Sequence, residues 1–305
     1  MLTLGCLGVA GLWVGFSNQF GARFIRGIIA ETGRGINSPA ATPRPETWNA
    51  NSITASWLGH STVLINFYGV NILTDPVLFP RVGADLRVGT VGIKRLVSAA
   101  LTPDRLPHID VVLLSHAHHD HMNFPSLRCL PAAARVITAR ATSDLLRRTR
   151  FNAVTELGWG DRAVLNTAQG EVEVSAFEVN HWGARWKHDR HRGYNGYVIE
   201  REGRKIIFGG DTALSSTFRP LRAKAPFDLA IMPIGSYKPW ERSHCTPEQA
   251  LAMANDAGAH YFLPIHYKTF VLGKEGPTEP IERLEAAIEP ERLALRDIGE
   301  TFRLN

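Results

Sequence analysis

Residues 111–121 read VVLLSHAHHDH. Four apolar residues give way at once to four histidines and an aspartate. The apolar run reads as a buried strand. The cluster after it constrains the fold most, because imidazoles and carboxylates at this density suit a divalent metal. One loop cannot surround an ion, so further ligands have to arrive from other strand ends. His116 and His118, two residues apart, can project to the same side as the chain leaves the strand. Asp120 and His121 come one turn later, where the loop curls toward a helix. Two ligand pairs are thus aimed at two neighbouring points. His119 is out of phase and is expected to point elsewhere, with Ser115 and Ala117 as spacers. Only 12 of the 305 residues are histidine, so composition does not account for the cluster.

The rest of the chain supplies strands in runs and then strands alternating with helices. ITASWLG, TVLINFYG and VNILTDP (53–76) read as a meander cut by glycines. ARVITAR (134–140) is another strand, followed by a helical stretch from Thr142. EVEVSAFEVNH (171–181) alternates like a strand, and GYVIERE with RKIIFGGD pairs as a hairpin around Gly203. FDLAIMPIG (227–235) and HYFLPIH (260–266) are buried strands. TPEQALAMANDAG (246–258) is a marked helix: Thr246 caps it, Pro247 opens it, Gln249 completes a capping box and Gly258 ends it. EPIERLEAAIE (279–289) is a last helix, and RVGADLRVGTVGIKR (81–95) reads as a loop walling a cleft.

A 44% apolar and 21% charged chain of this length can build a real core. The formal charge of +5 suits anionic substrates, membranes or nucleic acid without choosing among them. Cys6, Cys129 and Cys245 are scattered, without a CxxC pair, so neither a disulfide framework nor a zinc ribbon is indicated. The apolar run 2–16 is short for a spanning helix. Phe20, Phe24, Ile25, Ile28 and Ile29 form one helical stripe with Arg23 and Arg26 off it, a spacing that suits a helix lying in a membrane interface. NSPAATPRPET (37–47) reads as a linker. Residues 1–45 are therefore expected to be an apolar N-terminal segment and linker of a protein on the cytoplasmic side, with the helical stripe either attaching to a membrane surface or packing on the domain's own core. Residues 46–305 are the expected catalytic domain.

The pattern HxHxDH resembles the signature of the metallo-β-lactamase superfamily. That resemblance implies three later ligands, each at a strand end: a histidine, an aspartate shared by two metals, and a last histidine. EVNHW supplies His181, FGGDT supplies Asp211 and LPIHY supplies His266, in that order. The resemblance implies His116, His118 and His181 on one metal, Asp120, His121 and His266 on the other, and Asp211 between them. It also implies an α/β fold of the αββα type, with two mixed sheets flanked by helices. Redox di-iron members of the superfamily carry glutamate in place of the motif's second histidine, so His118 favours two zinc ions and hydrolysis.

From about Trp57 to about Leu284 the sequence is similar to one branch, on WLGHSTVLINFYGVNILTDPVL (57–78), LPHIDVVLLSHAHHDH (106–121), HWGARW (181–186) and HCTPEQALAMANDAGAHYFLPIHYKTF (244–270). That branch contains N-acyl-phosphatidylethanolamine-hydrolysing phospholipase D. The implied chemistry is attack on a phosphodiester by a hydroxide bridging two metals about 3.5–4 Å apart. Asp120 would ligate and orient the hydroxide, and His244 would bind phosphate or protonate the leaving group. Asp75 is the candidate to fix an imidazole. His60, Trp182 and Arg185 are candidates to contact the substrate, with Lys187, Arg190 and Arg192 in the same basic, Trp-containing loop. The alternative is a small soluble ester or a phosphorylated sugar lactone. Nucleic-acid processing is disfavoured, since no stripe of basic and aromatic residues is visible.

Overall fold

Apolar runs of four to eight residues are too short to bury themselves as helices, and here they pair into sheets. The computed structural model describes residues 31, 33–186 and 188–304. The N-terminal amphipathic stripe, Cys6 and Lys187 lie outside these residues. In chain order the strands are β1 (Ile53–Gly59), β2 (Thr62–Phe67), β3 (Val70–Thr74), β4 (Arg81–Asp85), β5 (Thr90–Lys94), β6 (Val111–Leu114), β7 (Arg135–Ala139) and β8 (Ala153–Leu157). They continue as β9 (Arg162–Thr167), β10 (Gly170–Phe177), β11 (Gly196–Arg201), β12 (Arg204–Phe208), β13 (Phe227–Pro233), β14 (Ala259–Ile265) and β15 (Thr301–Leu304). Four α-helices accompany them among the described residues: α1 (Phe124–Leu127), α2 (Ser143–Leu146), α3 (Pro247–Ala257) and α4 (Glu279–Glu285).

Two mixed sheets result. One has the order β15-β1-β2-β3-β6-β7-β8 and the other β14-β13-β12-β11-β10-β9, with β4–β5 a separate hairpin. A single apolar cluster joins side chains of both sheets, including Trp57, Leu64, Leu113, Ile199, Phe208 and Ile231. The expected α/β architecture is therefore present, with helical layers thinner than the sequence suggested. α2 covers four residues of the stretch expected from Thr142, and α4 stops at Glu285, not 289. The segment 81–95, expected as a loop, is a hairpin. Residues 37–41 run over the domain, with Asn37 donating to Leu96 O and Ala40 to Ile298 O.

Pairing directions place the site. β3, β6, β7 and β8 are mutually parallel, as are β12, β13 and β14. β10 lies two antiparallel steps from β12, so it shares that direction. The carboxyl ends of all these strands meet at one edge of the sandwich, where loops can converge. Ligand-rich segments follow β3, β6, β10, β12 and β14, and every one opens onto this edge.

α3 fixes one wall. Thr246 accepts from the Gln249 amide and Gln249 accepts from the Thr246 amide at 3.0 Å, while Gly258 takes the left-handed conformation at φ 85°. This capping box ends where Cys245 donates to Thr212 O at 2.8 Å. The helix start is thereby tied to the segment carrying Asp211, and Ser243 and His244 are held against it.

Candidate metal centre

Two groups of donor atoms come together at the shared edge. His116, His118 and His181 form one, and Asp120, His121 and His266, with His60, form the other. Within the first, His116 Nε2 lies 2.8 Å and His181 Nε2 3.3 Å from His118 Nδ1. Asp211 sits between the groups. Its Oδ2 is 3.1 Å from both His121 Nε2 and His266 Nε2, and 3.8 Å from His181 Nε2. Asp120 Oδ2 lies 3.6 Å from His121 Nε2 and 3.7 Å from His266 Nε2. All seven residues expected as ligands are thus gathered in one pocket. His119 is in neither group; its ring stands edge-on to Trp186 at 4.8 Å.

The surroundings set which ring nitrogen is bare. Asp75 is fully buried. Its Oδ1 accepts from the Ser115 amide at 2.7 Å, and its Oδ2 accepts from Ser115 Oγ at 2.5 Å and His121 Nδ1 at 2.7 Å. With its proton given to Asp75, Ser115 Oγ accepts from His116 Nδ1 at 2.9 Å. Ser243 O accepts from His181 Nδ1 at 2.8 Å. Each of these bonds takes the Nδ1 proton, so the Nε2 lone pairs of His116, His121 and His181 face the pocket. Ser115, expected as a spacer, is therefore a positioning residue. The sequence signal was a hydroxyl directly between a buried strand and the first histidine. The Ser243 carbonyl had no signal at all, since any residue supplies one.

The pocket fits a cation better than it fits itself. Six of the ten buried side-chain polar atoms without a hydrogen-bond partner among the described residues are here: His118 Nε2, His121 Nε2, Asp211 Oδ1, His244 Nδ1 and both nitrogens of His266. Such atoms cost roughly 1–3 kcal/mol each when left unpaired. His121 Nε2 and His266 Nε2 approach Asp211 at 3.1 Å yet stand off the hydrogen-bond line. That is how donors sit when they face a common point.

Charge supports the same fit. Burial pushes His116 and His181 well down and His118 to about 4, so these imidazoles are neutral at pH 7, as ligation requires. Burial also acts to lower His266 and His121, but Asp211 and neighbouring carboxylates outweigh it, raising His266 to about 9 and His121 well above the ordinary value, so at these two rings a bound cation would take the place of a proton. Burial acts to raise Asp120 and Asp211, and the adjacent imidazoles, His121 foremost, outweigh it and hold both well below the usual range. Two ionised carboxylates inside a buried pocket call for positive charge, which divalent ions supply.

The other candidates fall in different places. Trp182 is half exposed at the mouth, its ring 4.3 Å from that of His118. His244 lies at the rim with Nδ1 3.8 Å from Asp211 Oδ2, and burial lowers it to about 4. His60 does not line the opening. It is 1% exposed, with Nε2 3.0 Å from Asp120 Oδ2, so it holds that carboxylate from behind. Arg185 is buried too, donating from Nη1 to Ala117 O and Met122 O at 2.9 Å with its guanidinium over Phe124. Its charge braces the ligand loop. Arg192 is spent on Asp189 and Asp144.

Backbone strain marks the same edge. Asp75, His60 and His266 hold positive φ values of 31°, 54° and 66°, which a non-glycine residue adopts only when its surroundings enforce it. Gly210, at φ 57°, precedes Asp211, and a Cβ there would stand 2.8 Å from Ser115 Cβ and 2.9 Å from Asn195 O. Gly210→Ala is therefore expected to cost roughly 1–3 kcal/mol and to displace Asp211. Thermal unfolding and metal content measure this, and a variant matching the wild type in both would contradict the packing described.

A sandwich of two mixed sheets with histidines and aspartates gathered at one edge defines a metal-centred α/β protein. This chain belongs to the beta-lactamase superfamily: the family's domain model matches residues 70–267. It is 30% identical over 266 residues to an uncharacterised protein of Mycobacterium tuberculosis, covering 84% of this chain and 70% of that one. It is 29% identical over 266 residues to N-acyl-phosphatidylethanolamine-hydrolyzing phospholipase D 1 of Caenorhabditis elegans, covering 82% and 73%. Among solved structures, a metallo hydrolase from the archaeon Ignicoccus hospitalis shares the fold, with a TM-score of 0.60 and 21% identity over 83% of this chain and 99% of that one.

Proposed function

We propose that the protein is a metal-dependent hydrolase that cleaves a phosphodiester, with an N-acyl-phosphatidylethanolamine as substrate and two zinc ions as cofactors. The observation that carries the chemistry is Asp211 Oδ2 standing 3.1 Å from the second-group nitrogens and 3.8 Å from His181, with six other donors facing the same pocket. Similarity to the nematode phospholipase D over most of both chains supports the substrate class.

His116, His118 and His181 would hold one ion, Asp120, His121 and His266 the other, and Asp211 both. When bound, the pair supplies Lewis acidity and a nucleophilic oxygen at neutral pH. Asp120 would orient the attacking group, its carboxylate held in place by His60 Nε2 at 3.0 Å from Oδ2. His244, neutral and unpartnered at Nδ1, is placed to hydrogen-bond a phosphoryl oxygen. Trp182 offers an apolar wall beside that position.

The zinc-loaded protein is expected to release N-acylethanolamine from vesicles of the phospholipid, and not to open a sugar lactone offered in parallel. Lactone turnover alone would favour the soluble-ester reading. Phospholipid turnover surviving exhaustive chelation would sink the metal chemistry.

A further inference from the structure

Exposed apolar side chains are not spread evenly over this molecule. Of the ten large ones among the described residues, nine stand on segments that leave the site edge, and only Val164 lies within a strand elsewhere. The β4–β5 hairpin carries Leu86 at 50% and Val88 at 96% exposure. Trp182 and Trp186 follow β10, Trp240 follows β13 and Val271 follows β14, all about half exposed. Scattered apolar residues need no explanation, but a set gathered around one opening does.

The hairpin and the segments after β13 and β14 form one surface. Val82 of the hairpin packs with Val77 and Phe270, and Leu272 joins them. Trp240 Nε1 donates to Leu272 O at 3.2 Å, and Lys274 donates to Lys238 O. Asp85 anchors the hairpin to Arg128 at 2.7 Å, leaving Leu86–Val88 projecting. The charge on these segments is predominantly basic. Arg87, Arg190, Lys238, Arg242 and Lys274 are exposed, against the exposed acids Asp161, Glu178 and Glu241; Lys238 is paired with Glu279. Tryptophans and valines interleaved with cations match an interface whose interior is apolar and whose headgroups are anionic.

We propose that this edge is a membrane-docking face which seats on anionic phospholipid with Val88 and the tryptophans in the headgroup layer. It rests on the phospholipid reading above and names the surface from which that substrate would enter. Docking here would not need residues 1–30, since the apolar ring surrounds the opening itself.

The test uses the full chain with Cys6 and Cys129 changed to serine, leaving the buried Cys245. A single cysteine is placed by Val88→Cys, or by Ala168→Cys in the β9–β10 turn at the opposite edge, and carries an environment-sensitive fluorophore. Phosphatidylglycerol-containing vesicles are expected to blue-shift and brighten the label at 88 severalfold, with quenching by nitroxide lipids and loss of the effect in high salt. The label at 168 is expected to stay unchanged. No change at 88, or equal change at both positions, overturns the proposal. A change at 88 that grows with protein concentration without vesicles assigns the face to a second copy and also overturns it. Docking without release of N-acylethanolamine keeps this face and removes the substrate reading instead.

Discussion

Asp211→Asn is expected to lower phospholipid turnover on the order of a thousandfold or more and to leave the chain unable to retain two zinc ions. The substitution keeps volume and removes charge. Asp211 Oδ2 faces His121 and His266 at 3.1 Å and His181 at 3.8 Å, and Oδ1 is buried without a partner. An amide nitrogen in either position presents protons where lone pairs are needed. The remaining carboxylate, Asp120, reaches only the second group. The readouts are turnover at saturating zinc and bound metal after dialysis. The effect contrasts with Gly210→Ala, which displaces the same carboxylate through the backbone and should lower stability as well as metal binding.

Asp75→Ala is expected to have the largest structural effect among the residues that do not face the pocket. It removes the acceptor for the Ser115 amide, the Ser115 hydroxyl and His121 Nδ1 together. All three lie in a fully buried setting, and stranding them should cost roughly 2–5 kcal/mol of stability. The rings of His116 and His121 would also lose the bonds that select their tautomer. Metal affinity should fall about 10–100-fold even where the chain stays folded. Asp75→Asn separates the two effects: it keeps packing and the Ser115 bond, and should recover stability more than metal affinity. Calorimetric unfolding with zinc titration measures both, and equal affinity in wild type and Asp75→Ala would contradict the positioning role.

Much of the pocket could be read in the sequence because ligands at strand ends leave a local trace. VVLLSH, EVNH, FGGD and PIH each show an apolar run stopping at an ionisable side chain. α3 was legible for the same reason, since Thr246, Gln249 and Gly258 act within one turn of themselves. What failed depended on distant partners. β15 pairs with β1 across nearly the whole chain, and TFRL shows nothing of it. β8 mixes exposed and buried positions without alternation, and β9 alternates in burial but puts the apolar Val164 on its exposed face. The hairpin at 81–95 looked like a loop because its apolar contact, Phe270, lies far along the sequence.

Side-chain direction was the least legible quantity. His60 and Arg185 carry the right groups for substrate contact, yet His60 turns inward to Asp120 and Arg185 to the carbonyls of Ala117 and Met122. Both choices follow from burial: a charge or ring nitrogen removed from water takes the partner available there. Similarly, no helix among the described residues is long and apolar enough to cross a membrane, and the exposed apolar ring around the site appears only once the loops are folded together.

The central proposal, two metal ions held by seven residues from four strand ends, is tested most directly by metal content. Chains reconstituted with zinc and dialysed against buffer are analysed by plasma mass spectrometry. The expected result is two zinc ions per wild-type chain and about one for His118→Ala, which spares the second group. Fewer than two in the folded wild type, or two in His118→Ala, would contradict it.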